Sequence, residues 1–250
     1  MSYLRPCNID GSKHAGAILK LLVKRFKAVW PKVNIIFRGD GAFARKHILH
    51  WCENNNVTYI TGMSSNSILK KEAAALCSQA EQQYNETEVK QRLFGEIQYS
   101  AQSWSCKRRI IYKSEHHEHG SNLRFIVTNI SRENPQDVYD KKYCLRGEME
   151  NKIKQQKLDL ASGRMSCHYF IANQFRILLS GVAYILINDL REKALVGTKL
   201  AQAYCQTIRL KLFKIGAVVI KNTRRIQYYF SEHHPHQALF RAAMLRLKPS

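Results

Sequence analysis

Val33-Asn34-Ile35-Ile36-Phe37-Arg38-Gly39-Asp40-Gly41 is the stretch whose reading sets the fold class. Its first five residues, rich in Val, Ile and Phe, read as a strand, and the Arg-Gly-Asp-Gly that follows reads as a turn. Upstream, residues 14–30 carry Ile18, Leu21, Leu22 and Phe26 on one side, with Lys20, Lys24 and Lys27 interleaved. That is the period of an amphipathic helix, which Pro31 ends. Downstream, residues 43–53 read as a second helix and Val57-Thr58-Tyr59-Ile60 as a second strand. Helix, strand, helix, strand is the rhythm of an α/β layer with parallel strands.

Residues 67–84 continue in helical pattern. Between about residues 94 and 130 the pattern changes: Ile97-Gln98-Tyr99, residues 109–112 and residues 124–128 read as strands separated by segments rich in Ser, Lys, His and Gly. A small antiparallel β unit inserted into the α/β domain is the natural reading. Helical pattern returns near Asp137 and runs to about Leu160. Residues 170–190 and 198–212 read as two further helices, residues 218–229 as a short hairpin or strand, and residues 237–247 as a last helix.

The composition narrows the classes of function. A chain of 250 residues with 45% apolar content can bury a sizeable core, which excludes disorder throughout. Forty Lys and Arg against nineteen Asp and Glu give a net charge of +21. Such an excess attracts polyanions through counterion release, and nucleic acid is the favoured partner over an anionic membrane. Seven Cys with no C-x-x-C pair point to reduced thiols rather than a disulfide framework or a zinc knuckle. The opening Met-Ser-Tyr-Leu-Arg-Pro shows no apolar signal region. The most apolar stretch, residues 175–186, is too short to span a bilayer, so a cytoplasmic protein without a membrane partner is expected.

Two features carry chemistry. Asp40 stands where a hydrophobic strand meets a glycine-flanked turn, and in open α/β sheets sites form at the carboxyl ends of strands. An ordinary Asp-Gly turn fits the same residues. The second feature is the segment Tyr143-Cys-Leu-Arg-Gly-Glu-Met-Glu-Asn-Lys-Ile-Lys-Gln-Gln-Lys157. At about 100° per residue, Tyr143, Arg146, Glu150 and Lys157 fall on one stripe roughly 60° wide. A carboxylate for metal, two cations for phosphates and a phenol are what a metal-assisted phosphodiester site uses. A solvated charged face with an Arg146–Glu150 pair accounts for the same pattern.

Taken together, the spacing Y-x2-R-x3-E-x6-K, here Tyr143, Arg146, Glu150 and Lys157, resembles the signature of a large group of bacterial insertion-sequence transposases. The wider context is similar to the insertion-sequence thirteen-eighty type of DDE transposase. The segments that carry the likeness are Leu4-Arg5-Pro6-Cys7-Asn8-Ile9-Asp10-Gly11, Arg38-Gly39-Asp40-Gly41-Ala42-Phe43, Arg146-Gly147-Glu148-Met149-Glu150-Asn151 and Thr207-Ile208-Arg209-Leu210-Lys211-Leu212. The resemblance runs through nearly the whole chain. It implies an α/β fold with an RNase H-like core, a β-strand insertion and a C-terminal helical region. The matching divisions are residues 1–93 for the first part of the core, 94–136 for the insertion, 137–165 for the acidic helix and 166–250 for the helical region. It implies Mg²⁺- or Mn²⁺-dependent cleavage and strand transfer on double-stranded DNA, at transposon ends and target. Asp40 would be the second and Glu150 the third acidic metal ligand, while Tyr143, Arg146 and Lys157 would contact the transposon end. Glu148, two residues from Glu150, points about 200° away and reads as structural or solvated. Gly147 costs a helix about 1 kcal/mol relative to Ala, which close approach of DNA or sheet backbone, or helix wobble, would explain.

In the family that this chain resembles, the first Asp lies on a strand before the Leu-Arg-Pro segment, which here begins at residue 4. The expectation is an N-terminally incomplete core, catalytically incomplete by itself, with an unpaired sheet edge and poor stability. Asp10 reads as a helix lead-in rather than a substitute ligand. A homo-oligomer, or a mixed oligomer with intact transposase, is expected as a possible assembly. Two other functions stay open: a non-catalytic DNA-binding fragment that interferes with intact transposase, and an unrelated basic RNA-binding protein. The His116-His117-Glu118-His119 and His233-His234-Pro235-His236 tracts read as surface histidines. Lys221-Asn222-Thr223-Arg224-Arg225, beside Tyr228-Tyr229-Phe230, suits nucleic acid or places aromatics in a core.

Overall fold

The computed structural model describes residues 2–231 and 233–247. The chain divides into two compact units, Cys7–Gly147 and Met1–Pro6 with Glu148–Ser250. The first unit runs α1 (Ala15–Val29), β1 (Ile36–Gly39), a 3-10 turn at Gly41–Phe43, α2 (Lys46–Asn54), β2 (Thr58–Met63), α3 (Ser67–Thr87), β3 (Gln91–Tyr99), β4 (Arg108–His117), β5 (Gly120–Thr128) and α4 (Pro135–Asp137). A π-helical turn, Val138–Tyr143, follows. Among the described residues the five strands form one sheet in the order β1-β2-β5-β4-β3. β1 and β2 are parallel, with Ile36 opposite Thr58 and Gly39 opposite Thr61. All other neighbours are antiparallel. The expected α/β layer is therefore a mixed sheet, and the antiparallel strands extend it rather than standing apart.

The alternation of side chains along each strand builds two cores from one sheet. Tyr59, Ile110, Tyr112, Phe125 and Val127 point to the face covered by Leu19 and Val23, by Ile48, Leu49 and Cys52, and by Leu69 and Ala73. Ile60, Ile111 and Ile126 point to the other face and meet Val138 and Tyr139 of the π turn. β4 is longer than the strand expected over residues 109–112, and its charged residues are paired. Arg108 grips Glu53 through two hydrogen bonds of 2.6 and 2.8 Å, and Tyr59 donates to the same carboxylate at 2.8 Å. Burial pushes the Glu53 pKa up, but the Arg108 and Tyr59 hydrogen bonds outweigh it and hold the group below the usual carboxylate range. Arg109 pairs with Glu96 and donates to the carbonyls of Ile130 and Glu133.

The second unit contains α5 (the helix Arg146–Lys154, which straddles the division between units), a π turn at Gln155–Asp159, α6 (Phe170–Lys193), α7 (Cys205–Ile208), a π turn at Arg209–Phe213, β6 (Ala217–Lys221), β7 (Ile226–Phe230) and α8 (Gln237–Arg246). Its core joins Ile187, Ala194, Leu195, Leu200, Cys205, Ile208, Leu212 and Ala243. Two expectations are corrected here. The helix expected over residues 198–212 begins only at Cys205. Thr198 spends its hydroxyl locally, donating to the Leu195 carbonyl at 2.7 Å and accepting from Leu200 N at 3.2 Å. Such side-chain bonds compete with a helix start. The apolar stretch at residues 175–186 belongs to a helix of 24 residues, long and apolar enough by length and composition to cross a bilayer. Length therefore does not exclude a span. The helix carries buried Asn173 and Ser180, and its Ile187 packs in the core of this unit. All seven cysteines are free thiols, as expected.

Glu115 in β4 offers a clean test of the buried pairing. Its side chain is 7% exposed and ion-paired to Lys113 at 2.5 Å and to Lys90. Burial opposes ionisation, yet hydrogen bonds and charge from both lysines outweigh it and hold the pKa at about 2 rather than the ordinary 4.5. A carboxylate with a depressed folded-state pKa stabilises the fold above its unfolded pKa and loses that contribution as pH falls through the folded value. Stability measured by urea unfolding is expected to drop between about pH 4.5 and about pH 2. In Glu115→Gln that acid limb should flatten; an unchanged limb would contradict the assignment.

Candidate active site

β1 ends at Gly39, and Asp40 caps the 3-10 turn that follows, its Oδ1 accepting from Ala42 N at 3.0 Å. This leaves an exposed carboxylate at the carboxyl end of a parallel strand. The turn lies tight against β2. A Cβ on Gly62 would come 2.9 Å from the Tyr143 hydroxyl, 3.0 Å from Gly41 N and 3.3 Å from the Asp40 carbonyl carbon. Gly62 is the gap into which both the Asp40–Gly41 turn and the Tyr143 hydroxyl fit. Of the glycines flanking Asp40, Gly39 is crowded, with a Cβ 2.9 Å from Phe43 Cβ, whereas Gly41 meets nothing closer than 3.8 Å.

Beside this contact a cleft of about 290 Å³ opens, lined by Gly41, Gly62, Ser64, Ser65, Arg124 and Tyr143 among others. It lies past the ends of β1 and β2, where ligands of open α/β sheets bind. The surroundings hold the turn in place. Arg45 donates to the Ala42 carbonyl at 3.1 Å and pairs with Asp10 Oδ2 at 2.5 Å. Asp10 Oδ1 in turn accepts from Ser12 N and Ser12 Oγ at 2.7 and 2.6 Å. Asp10 is thus a lead-in to α1, tied to Ser12 and Arg45. Arg38, one residue before Gly39, donates to the Lys142 carbonyl at 3.0 Å and anchors the segment that carries Tyr143.

Tyr143 is half-buried, its ring 5.4 Å from that of Tyr139, and the Arg146 guanidinium sits 5.7 Å from the Tyr143 ring centroid. The structure therefore brings together Asp40, Tyr143 and Arg146 within the first unit. Glu150, exposed on α5, and Lys157, exposed in the Gln155–Asp159 turn, belong to the second unit. The stripe drawn at 100° per residue does not survive as drawn. Tyr143 ends a π turn closed by a Cys144 N to Tyr139 carbonyl bond, and Lys157 lies in another, closed by Leu160 N to the Gln155 carbonyl. A π turn takes more residues per turn than an α-helix, so phase is lost at both ends. Arg146 and Glu150 keep regular α-helical spacing, one turn apart on α5. Glu148 is also exposed on α5. A Cβ on Gly147 would meet nothing within 4 Å.

In kind, carboxylates such as Asp40 and Glu150 fit a hard divalent cation, which takes oxygen ligands. In number they fall short: among the described residues no group of three or more His, Cys, Asp or Glu side chains stands close enough to hold a metal ion. The first histidine tract lies partly on β4, where His116 Nδ1 bonds Ser121 Oγ at 2.9 Å, and His234 Nε2 lies 3.1 Å from the Lys211 carbonyl oxygen. Gly62, Ser64, Arg124 and Arg45 carried no signal in the sequence, because each comes to the Asp40 turn or its cleft only through the pairing of β2 with β1 and β5 or through a loop.

The crowding at Gly62 has a measurable cost. Gly62→Ala is expected to destabilise the chain by about 1–3 kcal/mol, the usual range for overpacking. Gly41→Ala should fall well below that range, since its added carbon meets only ordinary contacts. Equal losses in urea unfolding of the two variants would contradict this account.

No curated protein matches the chain. The family described as transposase DDE domain, group 1, matches residues 1–250, the whole chain, and the protein belongs to that family.

Proposed function

We propose that this chain binds transposon-end DNA as part of a DDE transposase of the insertion-sequence thirteen-eighty type, with an RNase H-like core in which residues 94–136 are the insertion, 137–165 the acidic helix and 166–250 the helical region. The observation that carries the reading is Asp40, an exposed carboxylate at the end of a parallel strand beside a polar cleft, in a chain of the DDE transposase family. Asp40 and Glu150 are the carboxylates that would serve as ligands to Mg²⁺ or Mn²⁺, an ion that would supply Lewis-acid chemistry at a phosphodiester when bound. Ala42 N keeps the Asp40 carboxylate in place. Arg146 and Lys157 neutralise DNA phosphates, and Tyr143 positions the strand through its hydroxyl. The net charge of +21 supports a polyanionic partner.

Within these 250 residues the acidic set has two members, so the chain alone grips double-stranded DNA and does not complete cleavage. Asp10, held by Ser12 and Arg45, is not a replacement. β1 stands at the sheet edge, with β2 its one strand partner among the described residues, which supports a core that a further strand would extend. The same open edge favours the second reading, a fragment that forms mixed oligomers with intact transposase and interferes with it. Either way the protein works at DNA in the cytoplasm, with the nucleoid.

Labelled transposon-end duplex tests the reading. Salt-sensitive binding without Mg²⁺-dependent nicking is expected from the chain alone. Arg146→Ala and Lys157→Ala should each lower the slope of log affinity against log salt by about 0.9, one phosphate contact apiece. Nicking that Asp40→Asn and Glu150→Gln both abolish would overturn the incompleteness, and absence of DNA binding would overturn the reading as a whole.

A further inference from the structure

The β6–β7 hairpin adds no buried residue to the core of the second unit. Its strands pair Ala217 with Phe230, Val218 with Tyr229 and Val219 with Tyr228. Nine of the ten strand residues are exposed and one is half-buried. An isolated two-stranded hairpin is marginal in water, so one that leaves this many strand residues exposed suits a partner. At its base Phe230 packs against Phe240 of α8 at 5.1 Å between ring centroids. At the other end the turn is pre-set: Asn222 Oδ1 accepts from Arg224 N at 3.1 Å and from Arg225 N at 2.9 Å, and Asn222 N donates to the Arg225 carbonyl at 3.1 Å. This turn gathers Lys221, Arg224 and Arg225 at the tip, and among the described residues no acidic side chain pairs with them.

We propose that this hairpin is a second DNA-binding element, whose tip enters a groove of double-stranded DNA and holds its phosphates through Lys221, Arg224 and Arg225. The inference rests on the DNA-binding reading above and adds a surface that the signature residues do not include. Charge complementarity carries it. Residues 194–250 hold ten Lys and Arg against a single acidic residue, Glu232. Size fits as well: two five-residue strands span about 17 Å, and the major groove, about 12 Å wide, admits a two-stranded ribbon. The exposed Tyr228, midway along β7, and Tyr229, nearer its base, offer hydroxyls to phosphates. The aliphatic residues Val218, Val219 and Ile220 would also suit a second copy of the chain. A symmetric pairing of hairpins, however, brings the basic tips of both copies into one assembly without any acidic counterpart.

The experiment uses the full chain and a random-sequence duplex, titrated from about 50 to about 200 mM salt. Lys221→Ala/Arg224→Ala/Arg225→Ala is compared with wild type and with Arg146→Ala/Lys157→Ala. Loss of three phosphate contacts should lower the salt slope by about 2.7 and weaken binding alike on all sequences. Arg224→Lys/Arg225→Lys, which keeps the charge, should retain most of the slope, and unchanged melting of the variants separates lost contact from lost fold. An unchanged slope in the triple variant, with wild type binding normally, overturns the hairpin assignment and leaves the reading above intact. Failure of wild type to bind DNA overturns both. A triple variant that alters self-association in sedimentation but not DNA binding also overturns the proposal and gives the surface to a second copy.

Discussion

The close approach of the Asp40–Gly41 turn to Gly62 governs the first unit. It requires β1 and β2 to run parallel in the observed register, since that register places Gly62 one step beyond the Gly39–Thr61 pair. It also admits the Tyr143 hydroxyl, which ties the π turn after α4 to the end of the sheet. A side chain at position 62 would push on backbone at Gly41 as well as on the end of a tyrosine, and backbone gives way less easily. The Arg45–Ala42 and Arg38–Lys142 hydrogen bonds hold the two sides of this contact.

Pairing of charge inside the sheet makes that geometry stable. β4 alone buries Arg108, Arg109, Lys113 and Glu115. Unpaired, any of these would be costly to remove from water; each is instead matched to a carboxylate or an ammonium group. The sheet therefore extends by ladder hydrogen bonds across residues that hydrophobicity alone would leave outside it. Its far edge is β3 and its near edge is β1, so the strand that leads into Asp40 has one neighbour among the described residues where central strands have two.

The two units treat their basic residues differently. In the first unit several cations are consumed by ion pairs: Arg45 with Asp10, Arg92 with Asp140, Arg108 with Glu53 and Lys142 with Glu133. In the second, Arg191, Arg209 and Arg246 are spent on backbone carbonyls that close turns. Among the described residues Lys221, Arg224 and Arg225 do neither, and they lie at the tip of a hairpin whose strand residues are exposed at nine of ten positions.

The sequence by itself determined the alternation of helix and strand through residue 60, the turn at Asp40 and the basic character of the whole. These are local or additive properties, readable from period, turn chemistry and charge. It also offered a short hairpin or strand at residues 218–229, where the structure pairs β6 with β7. Only the tertiary structure decided that the antiparallel strands join the parallel pair in one sheet, since strand order depends on contacts far apart in the chain. Tertiary structure likewise decided the π turns that break the phase of the signature segment, because a π turn depends on packing such as that of Val138 and Tyr139 on the sheet and leaves no periodic mark. It decided, finally, that Gly62, Ser64 and Arg124 stand beside Asp40: their nearness follows from strand register and loop course, which no spacing in a single sequence encodes.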